Sequence, residues 1–472
     1  MWSPARSRLA ATLQLRSPPC RARMANSDAG ANGVFDVAVV GGGVVGCGVL
    51  RALTLGGHSA VLLEKGPSLA GSLASGGNTG IACTAADTAP GSLERECLLK
   101  GLRMNTDVYR RLNVPHDPRG TLYVAWTDGE MARLASLAEK YARQGDHGAV
   151  LLGRDELRAW EPALSWLARG AMHVPGEAVV DPWLVPIAWA HHALENGASI
   201  ELGRGVTGAA LAPADAGALW RLATPRGGVA ARVVVNCGGL WADDVERLQR
   251  RPPFGVRPKR GDYVVFARPA EGARLLSRPV GQVPSLEHRG VYVWQTLHGN
   301  VACGPTAVFQ EDRGMAAAPS DVVERLRRIA VDALPALAGA EVLATYSGLR
   351  PATEFDDYQI EPCWGRAWIT VGGVRSTGLT ASLGIGEHVR GLAGSMLAGL
   401  RPGPAAASPP RARAAPKWTP LPPLGEIYRS FRERGDGTVS LHGRVHAVTH
   451  PLCRLGYAGG RSAGAGSSRC AG

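Results

Sequence analysis

The chain has 472 residues, 45% of them hydrophobic, and a formal net charge of +12. That is enough apolar material for two joined domains, and no apolar run reaches the ~18 residues a membrane-crossing helix needs, which leaves room only for peripheral membrane contact. The charge sits at the ends. Residues 1–27 hold five arginines and no acid, residues 401–472 hold eleven Lys/Arg against three Asp/Glu, and 28–400 is left at −1. A near-neutral body offers no basic face for tracking phosphates, so nucleic acid is excluded as a partner. Nine cysteines without a CxxC pair exclude a zinc or disulfide framework, and no metal is expected.

The first 33 residues begin MWSPARSRLAATLQLRSPPCRAR, arginine spaced among Leu, Ala and Ser with no acid before Asp28. This is the profile of a mitochondrial targeting segment, outside the fold. FDVAVV at 35–40 is then an apolar strand running into GGGVVGCG, where Gly41, Gly43 and Gly46 satisfy GxGxxG. The helix that follows stops at Gly56-Gly57, and a second strand, HSAVLLEK, ends at Glu64. With both strands and the helix in place the motif describes a dinucleotide site. Gly41 makes the tight turn, Gly43 lets backbone approach a pyrophosphate, Gly46 lets helix pack on strand, and Glu64 accepts hydrogen bonds from ribose hydroxyls. A carboxylate there argues against a 2′-phosphate.

The βαβ pattern does not continue regularly, as it would in a nicotinamide dehydrogenase. A mixed region of about 130 residues intervenes before apolar strands return at Asn236-Cys237-Gly238-Gly239, which is the layout of flavin enzymes. Near the end, WITV (368–371), GGVRSTGLTAS (372–382) and LGIGEHVRGLAGSMLAG read as strand, glycine turn and helix, a turn able to bring backbone N–H groups to an anion or polar ring. Residues 401–425 form a Pro/Ala/Arg linker. EIYRSFRERGDGTVSLHGRVHAVTHPLCRLG reads as a short docking tail over 426–457, a helix and a hairpin turning at Gly435-Asp436-Gly437, and 458–472 as a disordered end. His442, His446, His450 and Cys453 lack a matching second cluster, so no metal is assigned to them.

DVAVVGGGVVG, SGGNTGIACTAADTAPGSLERECLLKG, VVVNCGGLWADDV, RPKRGDYVVF, and YSGLRPATEFDDYQIEP with GGVRSTGLTASLGI recur in one order from 35 to about 400. Through them the chain resembles FAD-dependent oxidoreductases of the D-amino-acid-oxidase/glycerol-3-phosphate-dehydrogenase superfamily, most nearly the L-2-hydroxyglutarate dehydrogenase/oxidase group. The resemblance implies an α/β fold: a Rossmann-like FAD-binding domain (34–104, 201–249, 346–400) with an interleaved substrate domain (105–200, 250–345) on an antiparallel sheet flanked by helices. It places FAD against Val45 and Lys65 beside the glycine motif, Ser75, Asn78, Thr79 and Gly80 around the ribityl and ring region, Val206 in a strand beside the adenine, Cys237 and Gly238 near the pyrophosphate, and Gly373 with the backbone N–H groups of Thr377, Gly378 and Leu379 at the flavin edge. Cys237 reads as a small apolar filler.

The implied reaction moves hydride from the C–H of a small 2-hydroxy acid, or alternatively of glycerol 3-phosphate or an amine, to the flavin. Electrons then pass to a quinone, an electron-transfer protein or oxygen. Arg350 is the first candidate to clamp the substrate anion, because a guanidinium binds a carboxylate through two parallel hydrogen bonds, and Arg260 and Tyr263 are the second. Hydroxyglutarate members commonly carry a histidine where this chain has Ala82-Cys83-Thr84, so no proton acceptor is assigned. That departure keeps a different class open, a flavoprotein acting as an assembly factor through its basic tail.

Overall fold

A computed structural model describes residues 24–25, 33–71, 73–146, 148–214, 217–269, 273–284, 290–315, 317–400 and 415–459. The targeting segment other than Met24, Ala25 and Gly33, linker residues 401–414 and the end from 460 lie outside the described residues.

The elements that frame the site, in chain order, are β1 (Val34–Val40), α1 (Val44–Leu55), β2 (Ala60–Glu64), α2 (Leu93–Leu112), α3 (Leu184–Glu195), β3 (Ser199–Leu202), β4 (Val229–Asn236), β5 (Arg257–Phe266), β6 (Val342–Ala352), β7 (Trp368–Gly372), α4 (Gly378–Gly399), α5 (Leu424–Arg434), β8 (Thr438–Leu441), β9 (Arg444–Ala447) and α6 (Pro451–Tyr457). β3, β2, β1, β4 and β7 run parallel in that spatial order. The inner strands β1, β2 and β4 carry apolar runs rather than a strict alternation because helices cover the sheet; Val37, Ala38 and Val39 of β1 are all fully buried. α1, α3 and α4 belong to the same apolar cluster as this sheet.

The second large sheet centres on β5, which pairs antiparallel with β6 from Arg257–Ala352 to Phe266–Val342. Strands Val301–Gly304, Tyr292–Gln295, Val280–Gln282 and Thr121–Ala125 extend it. Residues 184–200, placed with the substrate domain by the sequence, run instead with the nucleotide sheet. Leu184 to Leu194 of α3 is buried throughout, and β3 pairs with β2.

The tail corrects one turn. β8 and β9 form the hairpin, but the reversal is His442-Gly443 (φ +48° and +75°), the pair of left-handed residues that a two-residue hairpin turn requires. Gly435-Asp436-Gly437 instead ends α5 and leads into β8. Leu421, Ile427, Phe431, Val439, Leu441, Val448 and Tyr457 share the main apolar cluster.

Candidate active site

A cavity of about 1330 Å³ lies between the C-terminal ends of the parallel strands and the β5–β6 ribbon. Its nucleotide end is built from the glycine turn. A Cβ on Gly46 would stand 1.9 Å from the Gly41 carbonyl oxygen, and one on Gly41, whose φ is +109°, 2.4 Å from the Cys237 carbonyl oxygen. Only glycine allows β1, α1 and β4 to converge this closely. Gly43 caps α1 without a side-chain hydrogen bond, and Ser75 Oγ accepts the Val44 N–H at 3.0 Å. Gly43, Val45, Ser75, Asn78, Thr79, Cys237, Gly373, Gly378 and Leu379 line the cavity. Burial pushes the Cys237 thiol well above its ordinary range, as suits a filler rather than a nucleophile.

Several expected contacts are placed differently. Both carboxylate oxygens of Glu64 accept backbone N–H groups, Oε2 from Gly42 and Oε1 from Gly66, each at 2.6 Å, so in this structure Glu64 braces the loop. Lys65 packs its ammonium on the Trp241 ring. Val206 is not in a strand but in the connection after β3, half-buried against the outer apolar cluster. Gly238 donates to Asn236 Oδ1 and Gly80 to Asn78 Oδ1, both turning their N–H groups inward. Thr377 is buried; its hydroxyl donates to Glu94 Oε1 at 2.6 Å and meets the Tyr358 hydroxyl. With the Thr377 side chain held away, Gly378 and Leu379 are the two of these three residues that line the cavity.

At the substrate end, Arg350 enters the cavity from β6 and is held by Nη1 donating to the Thr306 carbonyl at 3.3 Å. Its guanidinium lies over Gly261 of β5, where a Cβ would stand 2.9 Å from Nη2. Lys259 is the direct cross-strand neighbour of Arg350 and also lines the cavity. Among the described residues no carboxylate lies within 4.0 Å of the Lys259 ammonium or the Arg350 guanidinium. Burial, then the charges of Arg350 and Arg375, hold Lys259 below the ordinary lysine range. Arg375 is paired already, with Glu94 at 3.2 Å and Asp356 at 3.1 Å.

Arg260 is corrected. It points away from the cavity, its Nε 2.6 Å from Asp262 Oδ1 and Nη2 3.2 Å from Ser347 Oγ, because β-strand alternation sends neighbours Lys259 and Arg260 to opposite faces. Lys259 shares its strand face with Tyr263, which lines the cavity, so that pairing with a second candidate could have pointed to Lys259. Tyr263 does line the cavity; it stacks on Tyr346 at 4.3 Å and 5°, and burial pushes its phenol up to about 12. Cys83, within the Ala82-Cys83-Thr84 stretch where the resemblance carries a histidine, lines the cavity, as do Asp87 and Glu177.

Asp181, His298 and Cys453 bring three candidate ligand atoms within 4.8 Å. Each is already bonded: Asp181 Oδ1 accepts the Trp183 and Leu184 N–H groups and the Cys453 thiol, Oδ2 accepts Tyr457, and His298 Nδ1 meets the Tyr428 hydroxyl. Of the tail histidines, His442 and His446 both pack against His191, while His450 lies apart against Asn78.

A glycine-turn βαβ unit, a parallel sheet and a long cavity closed by an antiparallel ribbon define a dinucleotide-dependent oxidoreductase. Compared with known proteins, residues 36–392 match the DAO family, FAD dependent oxidoreductase. The chain is 30% identical over 357 residues to glycerol 3-phosphate dehydrogenase of Caloramator mitchellensis, covering 75% of this chain and 73% of that one. It is 28% identical over 280 residues to L-2-hydroxyglutarate dehydrogenase of Indibacter alkaliphilus, covering 58% and 68%. The FAD-bound L-alpha-glycerophosphate oxidase structure from Mycoplasma pneumoniae superposes with a TM-score of 0.69 at 25% identity, over 79% of this chain and 97% of that one. The protein belongs to the DAO family and is an FAD-dependent oxidoreductase. The glycine cradle, the α1 N-terminus and the long cavity fit that cofactor.

Proposed function

We propose that the protein oxidises a small phosphate-bearing secondary alcohol of the glycerol 3-phosphate type. The observation that carries this reading is the side-by-side placement of Lys259 and Arg350 on the cavity wall, with no carboxylate within 4.0 Å of either cation among the described residues. Two adjacent cations match the charge of a phosphate monoester near neutral pH. A phosphate monoester carries both charges on one group, within reach of both cations at once, whereas the two charges of 2-hydroxyglutarate sit on carboxylates at opposite ends of its chain. FAD, when bound, supplies the hydride-accepting ring. The protein's own part is to fix the anion at Lys259 and Arg350, to close the site beneath the Tyr263–Tyr346 stack, and to hold the α4 start, Gly378 and Leu379, against the cavity.

A 2-hydroxy acid of the L-2-hydroxyglutarate type is the second reading, supported by the planar fork of Arg350 and by the relatives that carry that name. Anaerobic mixing of the FAD-loaded protein with glycerol 3-phosphate, L-2-hydroxyglutarate and a panel of amino acids separates them by which one bleaches the flavin. The electron acceptor, a quinone, an electron-transfer protein or oxygen, is the remaining partner. For location, the spaced arginines with no acid before Asp28 support mitochondrial targeting; residues 1–33 fused to a fluorescent protein should carry it to mitochondria, and diffuse fluorescence would contradict this.

A further inference from the structure

The segment 415–459 lies beyond the family match, which ends at 392, yet it is built into the body around the cofactor cavity. The Leu421 N–H donates to the Leu112 carbonyl and Asn113 Nδ2 to the Leu421 carbonyl, fastening the segment to α2. Trp183 Nε1 donates to the Ala447 carbonyl at 3.1 Å, and Arg268, two residues past the end of β5, to the Gly456 carbonyl at 2.9 Å. At the centre Tyr457 and Cys453 of α6 both reach the buried carboxylate of Asp181. One residue upstream, the Val180 N–H donates to the Gly80 carbonyl at 2.8 Å. The segment therefore ties both sheets together at the back of the loop 75–80.

His450 makes the direct contact. It is fully buried, its Nδ1 accepts the Leu452 N–H at 3.3 Å, and its Nε2 lies 3.0 Å from the Asn78 carbonyl. Since Nδ1 accepts, Nε2 carries the proton and donates to Asn78. Burial lowers its pKa to about 4, so this neutral form persists across physiological pH. The Tyr346 hydroxyl donates to the same carbonyl at 3.2 Å. Asn78 uses its side chain within the loop, Nδ2 to the Ser75 carbonyl and Oδ1 from the Gly80 N–H, leaving its carbonyl as the handle by which the loop is held from outside. The inner face of that loop, Ser75, Asn78 and Thr79, lines the cavity, and Ser75 caps α1.

We propose that the C-terminal segment is a built-in cofactor clamp, with His450 as the positioning residue that sets the loop 75–80 for FAD. This goes beyond the substrate reading and does not depend on it. The geometry also states which substitution preserves the device. Glutamine places an N–H donor where imidazole Nε2 stands, whereas asparagine reaches only the Nδ1 position.

The experiment strips FAD from the full-length protein and titrates it back into His450→Gln, His450→Asn and His450→Ala. One buried hydrogen bond corresponds to about a two- to tenfold change in FAD Kd. The expected order is parent and His450→Gln together, with His450→Asn and His450→Ala weaker by that factor. The melting-temperature rise on adding FAD should shrink in the same order. If Asn and Gln variants bind FAD equally, or the Ala variant keeps the parent Kd, the proposal is overturned. Should the Ala variant fail to fold, the Gln–Asn pair decides the question alone.

Discussion

Arg350 and Lys259 share one patch of cavity wall but differ in what they contribute. Arg350→Lys keeps the charge and loses the two-pronged donor, so the rate of flavin reduction at low substrate should fall about 30- to 150-fold, corresponding to roughly 2–3 kcal/mol for hydrogen bonds to a charged group. FAD content should stay at the parent level, because the glycine turn at Gly41–Gly46 that fits the cofactor belongs to the parallel sheet while Arg350 lies on the β5–β6 ribbon; a variant that lost its FAD would move Arg350 out of the substrate site. Lys259 titrates below an ordinary lysine, burial being the larger cause and its two arginine neighbours the smaller. Its charge is present below that pKa and lost as pH rises through it. kcat/KM for an anionic substrate should therefore decline on the alkaline side with one proton lost, earlier than an ordinary lysine would dictate. Lys259→Arg, charged throughout, should remove that alkaline limb; an unchanged profile would show that Lys259 does not hold the anion.

At the scale of elements, the β5–β6 ribbon separates two roles that look alike in sequence. Lys259 faces the cavity while Arg260 pairs with Asp262, whose other partners are Thr306 and Ser347. Arg260→Met leaves a nearly fully buried carboxylate without its cation and should cost about 3–5 kcal/mol of stability. Denaturant unfolding should show that loss while KM stays near the parent value; a raised KM with parent stability would return Arg260 to the substrate site. The glycine turn is stricter. Gly46→Ala drives a methyl into the Gly41 carbonyl, and the protein should purify without FAD and about 1–3 kcal/mol less stable.

The same elements show what could be seen beforehand. GxGxxG between two apolar strands specifies a βαβ turn locally, so Gly41, Gly43 and Gly46 were legible. Arg260 was misplaced because strand alternation names opposite faces but not which face is the cavity. The hairpin reversal was missed because GDG has the stronger composition, whereas His442 reaches positive φ beside Gly443. The Glu64 contacts with Gly42 and Gly66, and the bond from His450 to Asn78 across 372 positions, come from tertiary packing that leaves no local signature.

In the whole molecule, one chain crosses repeatedly between two sheets and then returns through its tail to brace the loop facing the cavity. The cofactor class follows from the nucleotide sheet and the family match, and the proposed substrate chemistry rests on Lys259 and Arg350 on the opposite wall. The decisive measurement is anaerobic bleaching of the FAD-loaded protein by candidate substrates. Glycerol 3-phosphate should bleach the flavin faster and at lower concentration than L-2-hydroxyglutarate or any amino acid, and Arg350→Lys should slow that bleaching. Bleaching by a 2-hydroxy acid or an amino acid, with glycerol 3-phosphate inert, would contradict the assignment of Lys259 and Arg350 as a phosphate site.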